Sequence, residues 1–118
     1  MRSNKQLTEE YRSKKFTIAV FQVRNAVNGK IFIGSSVNID AIFNRIRTEL
    51  KFNGHRNKQL QEEWNEFGAD NFSFEILSEI VQKDEDKTDH GKEVKKLEQM
   101  FIEDLQPFGE KGYNPHKA

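Results

Sequence analysis

The sequence predicts a small α/β domain in which a three-stranded antiparallel sheet is flanked by helices. Three patterns carry that expectation: two β-rich runs joined through Asn28-Gly29, a helical stripe of apolar residues after Asn38, and a third β-rich run followed by a last helical stripe. At 118 residues the chain has room for one core. A domain of that size buries roughly two-thirds of the surface its unfolded chain exposes.

Residues 1–15 hold one helical pair, Leu7 and Tyr11, and read as an arm or short first helix. Phe16 to Val23 (Phe-Thr-Ile-Ala-Val-Phe-Gln-Val) and Lys30 to Gly34 (Lys-Ile-Phe-Ile-Gly) read as two strands of a hairpin. Between them Asn28-Gly29 is expected to supply the positive φ values of a tight turn. From Asn38, a candidate N-cap, the period changes: Ile39, Ile42, Phe43, Ile46 and Leu50 form one helical face that stops at Asn53-Gly54. Leu60, Trp64 and Phe67 mark a second helix ending at Gly68, which should pack on the sheet.

Asn71 to Ile80 reads as the third strand, with Phe72, Phe74 and Ile76 on one face. The charged stretch from Lys83 to Lys92 lacks an apolar period and reads as a mobile loop. Its Asp84 and Asp86 do not make a calcium loop, because the glycine and distal glutamate are misplaced. The final helix is expected from Glu93 to Leu105 on a stripe of Val94, Leu97, Phe101 and Leu105, ending before Pro107 and Gly109. No internal repeat is visible.

Charged residues make up 32% and apolar residues 35% of the chain, with ten Phe and one Trp, a composition that folds. The absence of cysteine excludes disulfides, thiolate metal sites and Cys nucleophiles, and fits a reducing, cytoplasmic compartment. The polar N-terminus argues against a secretory signal, and no stretch approaches the length of a membrane span. Zero net charge hides an asymmetry: residues 1–58 carry 12 Lys and Arg against 4 acids, residues 59–118 carry 7 against 15. A basic half suits an anionic partner such as DNA or RNA, and an acidic half could supply cation ligands. Two solvated faces that neutralise each other explain the same numbers.

The run Asn28-Gly29-Lys30-Ile31-Phe32-Ile33-Gly34-Ser35-Ser36, between a strand and an amphipathic helix, resembles the second motif of the GIY-YIG nuclease family, with Phe32 where that motif has Tyr. Further matches follow in order: Gly54-His55-Arg56-Asn57, Leu60-Gln61, Trp64-Asn65-Glu66-Phe67-Gly68, Asn71 to Leu77, Glu98 to Ile102, and Gly112-Tyr113-Asn114. The resemblance covers about residues 16–114, leaving 115–118 as a tail. Asn38 to Arg45 and Gly109 to Asn114 look most like the branch associated with LuxR-type bacterial transcriptional regulators. No separate helix-turn-helix domain is expected to fit in this length.

The resemblance implies phosphodiester hydrolysis: a Tyr helps to activate water, an Arg stabilises phosphate charge, and a Glu holds a divalent cation, Mg²⁺ or Mn²⁺, that acts as a Lewis acid. The two motif tyrosines align with Phe21 and Phe32, and the Arg position falls on Ile42. Phenylalanine has no oxygen with which to accept a proton or ligate a metal. The resemblance therefore implies a degenerate, catalytically impaired nuclease fold serving as a nucleic-acid-binding or regulatory module. An active Mg²⁺-dependent endonuclease and a protein-interaction module are the alternatives.

The resemblance makes Glu98 the metal ligand and His55 and Asn114 site residues, with Arg45, one turn beyond Ile42, as a substitute for the missing Arg. Each has a plainer reading: Arg45 paired with Glu49, Glu98 at the edge of the stripe reaching water, His55 an ordinary loop residue, Asn114 a structural residue in a closing turn. Gly34 permits close backbone approach on either reading. Arg45, Arg47, Lys51, Arg56 and Lys58 form a basic set able to touch phosphates or to remain a solvated face.

Overall fold

The structure is a computed structural model that describes residues 16–81 and 89–115. Strands β1 (Ile18–Asn25) and β2 (Ile31–Ser36) are followed by helices α1 (Ile39–Lys51) and α2 (Lys58–Phe67), a 3₁₀ turn (Ala69–Asn71), strand β3 (Phe72–Ile80) and helix α3 (His90–Leu105). The sheet is antiparallel throughout in the order β2-β1-β3. The expected arm at residues 1–15 lies outside the described residues.

Central strand β1 is apolar without alternation because both of its faces are covered. Ala19, Phe21 and Val23 pack with Ile39, Ile46 and Leu50 of α1 and Leu60 of α2. Ile18 and Val20 pack on the opposite face with Ile33 of β2 and Val94 of α3. The result is three layers: α1 and α2, the sheet, and α3. Among the described residues no helix is long and apolar enough to cross a membrane.

Helix starts follow their caps. The side chains of Asn38, Asn57 and Asp89 accept bonds from the backbone N–H groups of Ala41, Leu60 and Lys92. Asp89 is why α3 begins at His90 and not at Glu93: residues 89–92 form a cap and first turn where a loop was expected. The rest of that expected loop, up to residue 88, lies outside the described residues. Leu105 is mostly out of the core, and Ile102 takes its place on the packed stripe.

Two further expectations need correction. The hairpin connection spans residues 26–30, and only Gly29 has positive φ, at 77°. The Asn25 and Asn28 side chains accept bonds from the N–H groups of Val27 and Lys30 and shape this longer loop. In β3, a register shift opposite Val20 and Phe21 pairs Phe21 with Ile76 but Val20 with Ser78. This bulge moves Ile80 to the α3 side, leaving Phe72 and Phe74 in the first core and Ile76 49% exposed.

After α3 the chain folds back along the outer edge of β2. Ile31 donates to the Lys111 carbonyl, Tyr113 N–H donates to the Ile31 carbonyl, and the Asn114 side-chain amide bonds both the N–H and the C=O of Ile33, at 2.8 and 2.9 Å. This closing segment satisfies an edge that would otherwise be open. Beneath it, the buried Tyr113 hydroxyl donates to Glu63 Oε1 at 2.8 Å, and the Asn25 and Asn28 amides donate to the same oxygen. Burial raises the Glu63 pKa, but these bonds and the Lys30 charge outweigh it and hold the carboxyl below its usual value.

Candidate active-site cleft

A cleft of about 650 Å³ opens where β2, α1, the loop before α2, α3 and the closing segment meet. Phe21, Phe32, Ile42, Arg45, His55, Glu98 and Asn114, spread from β1 to the closing segment, all line it. Of the basic set, Arg45 and Arg56 line the cleft and the other three residues do not. Arg47 lies over the ring of Phe74 at 4.3 Å, Lys51 lies over Phe52 at 5.7 Å, and Lys58 is the exposed first residue of α2.

The aromatic floor follows from one glycine. Phe21 on β1 stands directly opposite Gly34 on β2, and a Cβ on Gly34 would lie 2.7 Å from Phe21 Cζ. Glycine lets the ring lie across β2, where Phe43 meets it edge-on at 5.3 Å. Phe32 is half-buried in the cleft wall and makes a perpendicular contact with the His55 ring at 5.8 Å.

Glu98 is 9% exposed, set among the apolar residues by which α3 packs on the sheet. Its Oε1 accepts the Ser35 hydroxyl at 2.7 Å and lies 3.6 Å from the Lys95 ammonium. Among the described residues Oε2 has no such partner. The sequence reading did not single out Ser35 or Lys95. Strand alternation could have found the first, since Ser35 shares the α3-facing side of β2 with Ile33. The i,i+3 spacing of Lys95 and Glu98 could have found the second.

No group of three His, Cys, Asp or Glu side chains capable of caging a metal occurs among the described residues. A single carboxylate does fit a hard cation held mainly by water and substrate phosphates. If such an ion binds here, Glu98 is the residue to hold it, and the ion would supply Lewis-acid stabilisation of phosphate charge.

His55 sits in the loop between α1 and α2, wired by its neighbours. Its N–H donates to Gln61 Oε1 at 3.0 Å, Gln61 Nε2 donates to the Leu50 carbonyl, and His55 Nδ1 accepts the Asn57 N–H at 3.0 Å. That last bond requires an unprotonated Nδ1, so the neutral ring carries its proton on Nε2. Burial pushes the imidazole pKa below the usual 6.5, aided by the charges of Arg56 and Arg45 and opposed by Glu49. Above 6.5, folded and unfolded chains both hold the ring neutral. As pH falls below it, the unfolded chain binds the proton first, so stability is lost. The urea midpoint should therefore fall between pH 7 and pH 5.5, and His55→Gln should flatten that fall. An unchanged slope in the variant would show that His55 does not titrate this way.

Asn114 spends its amide on Ile33, and Arg45 is 72% exposed with Nε 3.7 Å from Glu49 Oε2. The cleft rim is thus balanced, with Arg45, Arg56 and Lys95 facing Glu49, Glu98 and Glu103.

No protein-family profile and no curated protein matches the chain. Solved structures do. The catalytic domain of intron endonuclease I-TevI, in an E75A mutant, superposes with a TM-score of 0.70 at 23% identity, covering 87% of this chain and 97% of that one. The catalytic domain of homing endonuclease I-TevI gives 0.69 at 24% identity, covering 85% and 99%. Neither structure bears on the branch associated with LuxR-type regulators. The three-stranded sheet and three helices are those of that endonuclease domain, and the chain has the GIY-YIG fold.

Proposed function

We propose that residues 16–114 form a catalytically impaired endonuclease-fold module that binds nucleic acid. The observation that carries this reading is that Phe21, Phe32 and Ile42 line the same cleft as Glu98 and His55. The departures from the family pattern therefore fall within the site, where hydroxyl and guanidinium groups would have to act. Positioned acid–base help is worth roughly 10²- to 10⁴-fold in rate, and one electrostatic stabiliser roughly 10²- to 10³-fold. Asn114 acts as a positioning residue that ties the closing segment to β2 beside the cleft.

Support for a nucleic-acid partner comes from the likeness to the catalytic domain of a homing endonuclease and from exposed Arg45 and Arg56 on the rim. The resemblance to relatives of LuxR-type regulators adds transcriptional regulation, and the cysteine-free composition suits the cytoplasm. A slow enzyme is the second reading, favoured by Glu98 Oε2, which has no partner among the described residues, and by His55 in the same cleft.

Fluorescence anisotropy with labelled DNA and RNA in Mg²⁺, across 50 to 200 mM salt, tests the proposal. Binding should weaken with salt while the oligonucleotide stays intact. Replacing Arg45 and Arg56 by Gln should lower the log–log salt slope by roughly 0.7 to 0.9 for each phosphate that is no longer neutralised. Absence of salt-sensitive binding to any nucleic acid would leave protein interaction as the better account.

A further inference from the structure

We propose that the cleft receives one unstacked nucleobase of a single-stranded nucleic acid, with the base against Phe32 and a flanking phosphate on Arg56. The inference rests on the nucleic-acid reading above and narrows it to a class of ligand. Four observations meet at this one place.

The first is size. At about 650 Å³ the cleft falls in the range of small-molecule pockets and has room for a nucleotide unit, whereas a duplex would have to rest on its rim. The second is the wall. Phe32 and Ile42 are half-buried in the cleft lining, so carbon surface stands where the family motifs place a phenol and a guanidinium. Such a wall is poor for a phosphodiester and good for the flat face of a heterocycle. Bases in a duplex hide those faces in the stack, so only an unstacked base can offer one.

The third is charge. Arg45 faces Glu49, and Lys95 faces Glu98, so two of the three cations on the rim already have carboxylate neighbours. Arg56 is exposed and has no carboxylate partner among the described residues, which leaves it to meet a phosphate. A rim balanced in this way does not attract a polyanion along its whole length. It suits one phosphate beside one neutral base. The fourth is a polar group at the wall: the His55 ring lines the cleft beside Phe32 and, with Nδ1 engaged by Asn57, keeps Nε2–H as its remaining donor.

The test compares three ligands of equal length by anisotropy at one salt concentration: a single-stranded oligothymidylate, a perfect duplex, and a single strand of abasic sugar-phosphate. The single strand should bind most tightly, with the abasic strand roughly 10- to 100-fold weaker, as loss of one base stack implies. Phe32→Leu, which keeps most of the apolar volume and removes the aromatic face, should weaken the oligothymidylate to near the abasic level while a cooperative thermal melt shows that the variant still folds. Duplex and abasic strand binding as tightly as oligothymidylate, with salt sensitivity retained, would overturn the base pocket and leave the nucleic-acid reading standing. No salt-sensitive binding to any of the three would overturn both.

Discussion

Gly112→Ala is expected to destabilise the chain by about 3 kcal/mol, a large effect for a single added methyl group. A Cβ at this position would lie 2.5 Å from the Pro107 carbonyl oxygen, 2.6 Å from its carbon, and would also press on the Ile31 carbonyl oxygen. All three are backbone atoms, so no side chain can swing aside to relieve the contact. Relief would require the closing segment to lift from β2. That would break the bonds joining Ile31 to Lys111 and Tyr113 and those joining Ile33 to Asn114, and would uncover Tyr113, which is 4% exposed. The urea midpoint should fall sharply. An unchanged midpoint would show that the segment does not brace the sheet edge. Gly29→Ala is a useful contrast: nothing lies within 4 Å of a Cβ there, and only the φ of 77° opposes it, at a cost of about 1 kcal/mol.

If the proposed impairment stems from Phe32 and Ile42, a hydroxyl and a guanidinium placed there should raise metal-dependent cleavage. The double variant Phe32→Tyr, Ile42→Arg is expected to cut DNA or RNA at least roughly 10²-fold faster than the wild-type chain, the gain that an acid–base group or one electrostatic stabiliser typically provides. Both positions are half-buried in the cleft wall, so a hydroxyl and a guanidinium placed there can reach solvent and substrate. Phe21 is left unchanged because it is 2% exposed, and a phenol there would need a buried partner for its hydroxyl. Adding Glu98→Ala to the double variant should abolish the gain. A folded double variant no faster than wild type in Mg²⁺ and Mn²⁺ would remove Phe32 and Ile42 as the cause of the proposed impairment.

Much of the fold was legible because its elements are locally consistent. The Ile39 to Leu50 stripe, the Asn38 cap and the Gly68 stop each have one reading. The β1 run shows why pattern alone stops short: its continuous apolar character reflects burial on both faces, which the order β2-β1-β3 explains. Asp89 was hidden by the charges around it, so the first turn of α3 read as loop. The bulge in β3 escaped notice because a one-residue shift alters the faces of Ser78 to Ile80 without changing their composition.

Phe32, Ile42, His55, Glu98 and Asn114, which the resemblance picked out, line one cleft. Arg47 shows the limit. On the sequence it belongs with Arg45 as a basic pair, yet helical geometry turns it away from the cleft and onto Phe74. Glu63 and Tyr113 went unrecognised as a pair because a separation of 50 positions hides a contact that exists only when the closing segment docks.

The central claim is that this cleft retains the scaffold of a nuclease site and has lost most of its catalytic power. Cleavage of labelled single-stranded and duplex DNA and RNA by the wild-type chain in Mg²⁺ or Mn²⁺, run beside Glu98→Ala, tests it most directly. The account predicts that wild-type cleavage is weak or absent, with any residual rate lost in the variant. Efficient metal-dependent cleavage by the wild-type chain, abolished by Glu98→Ala, would contradict it.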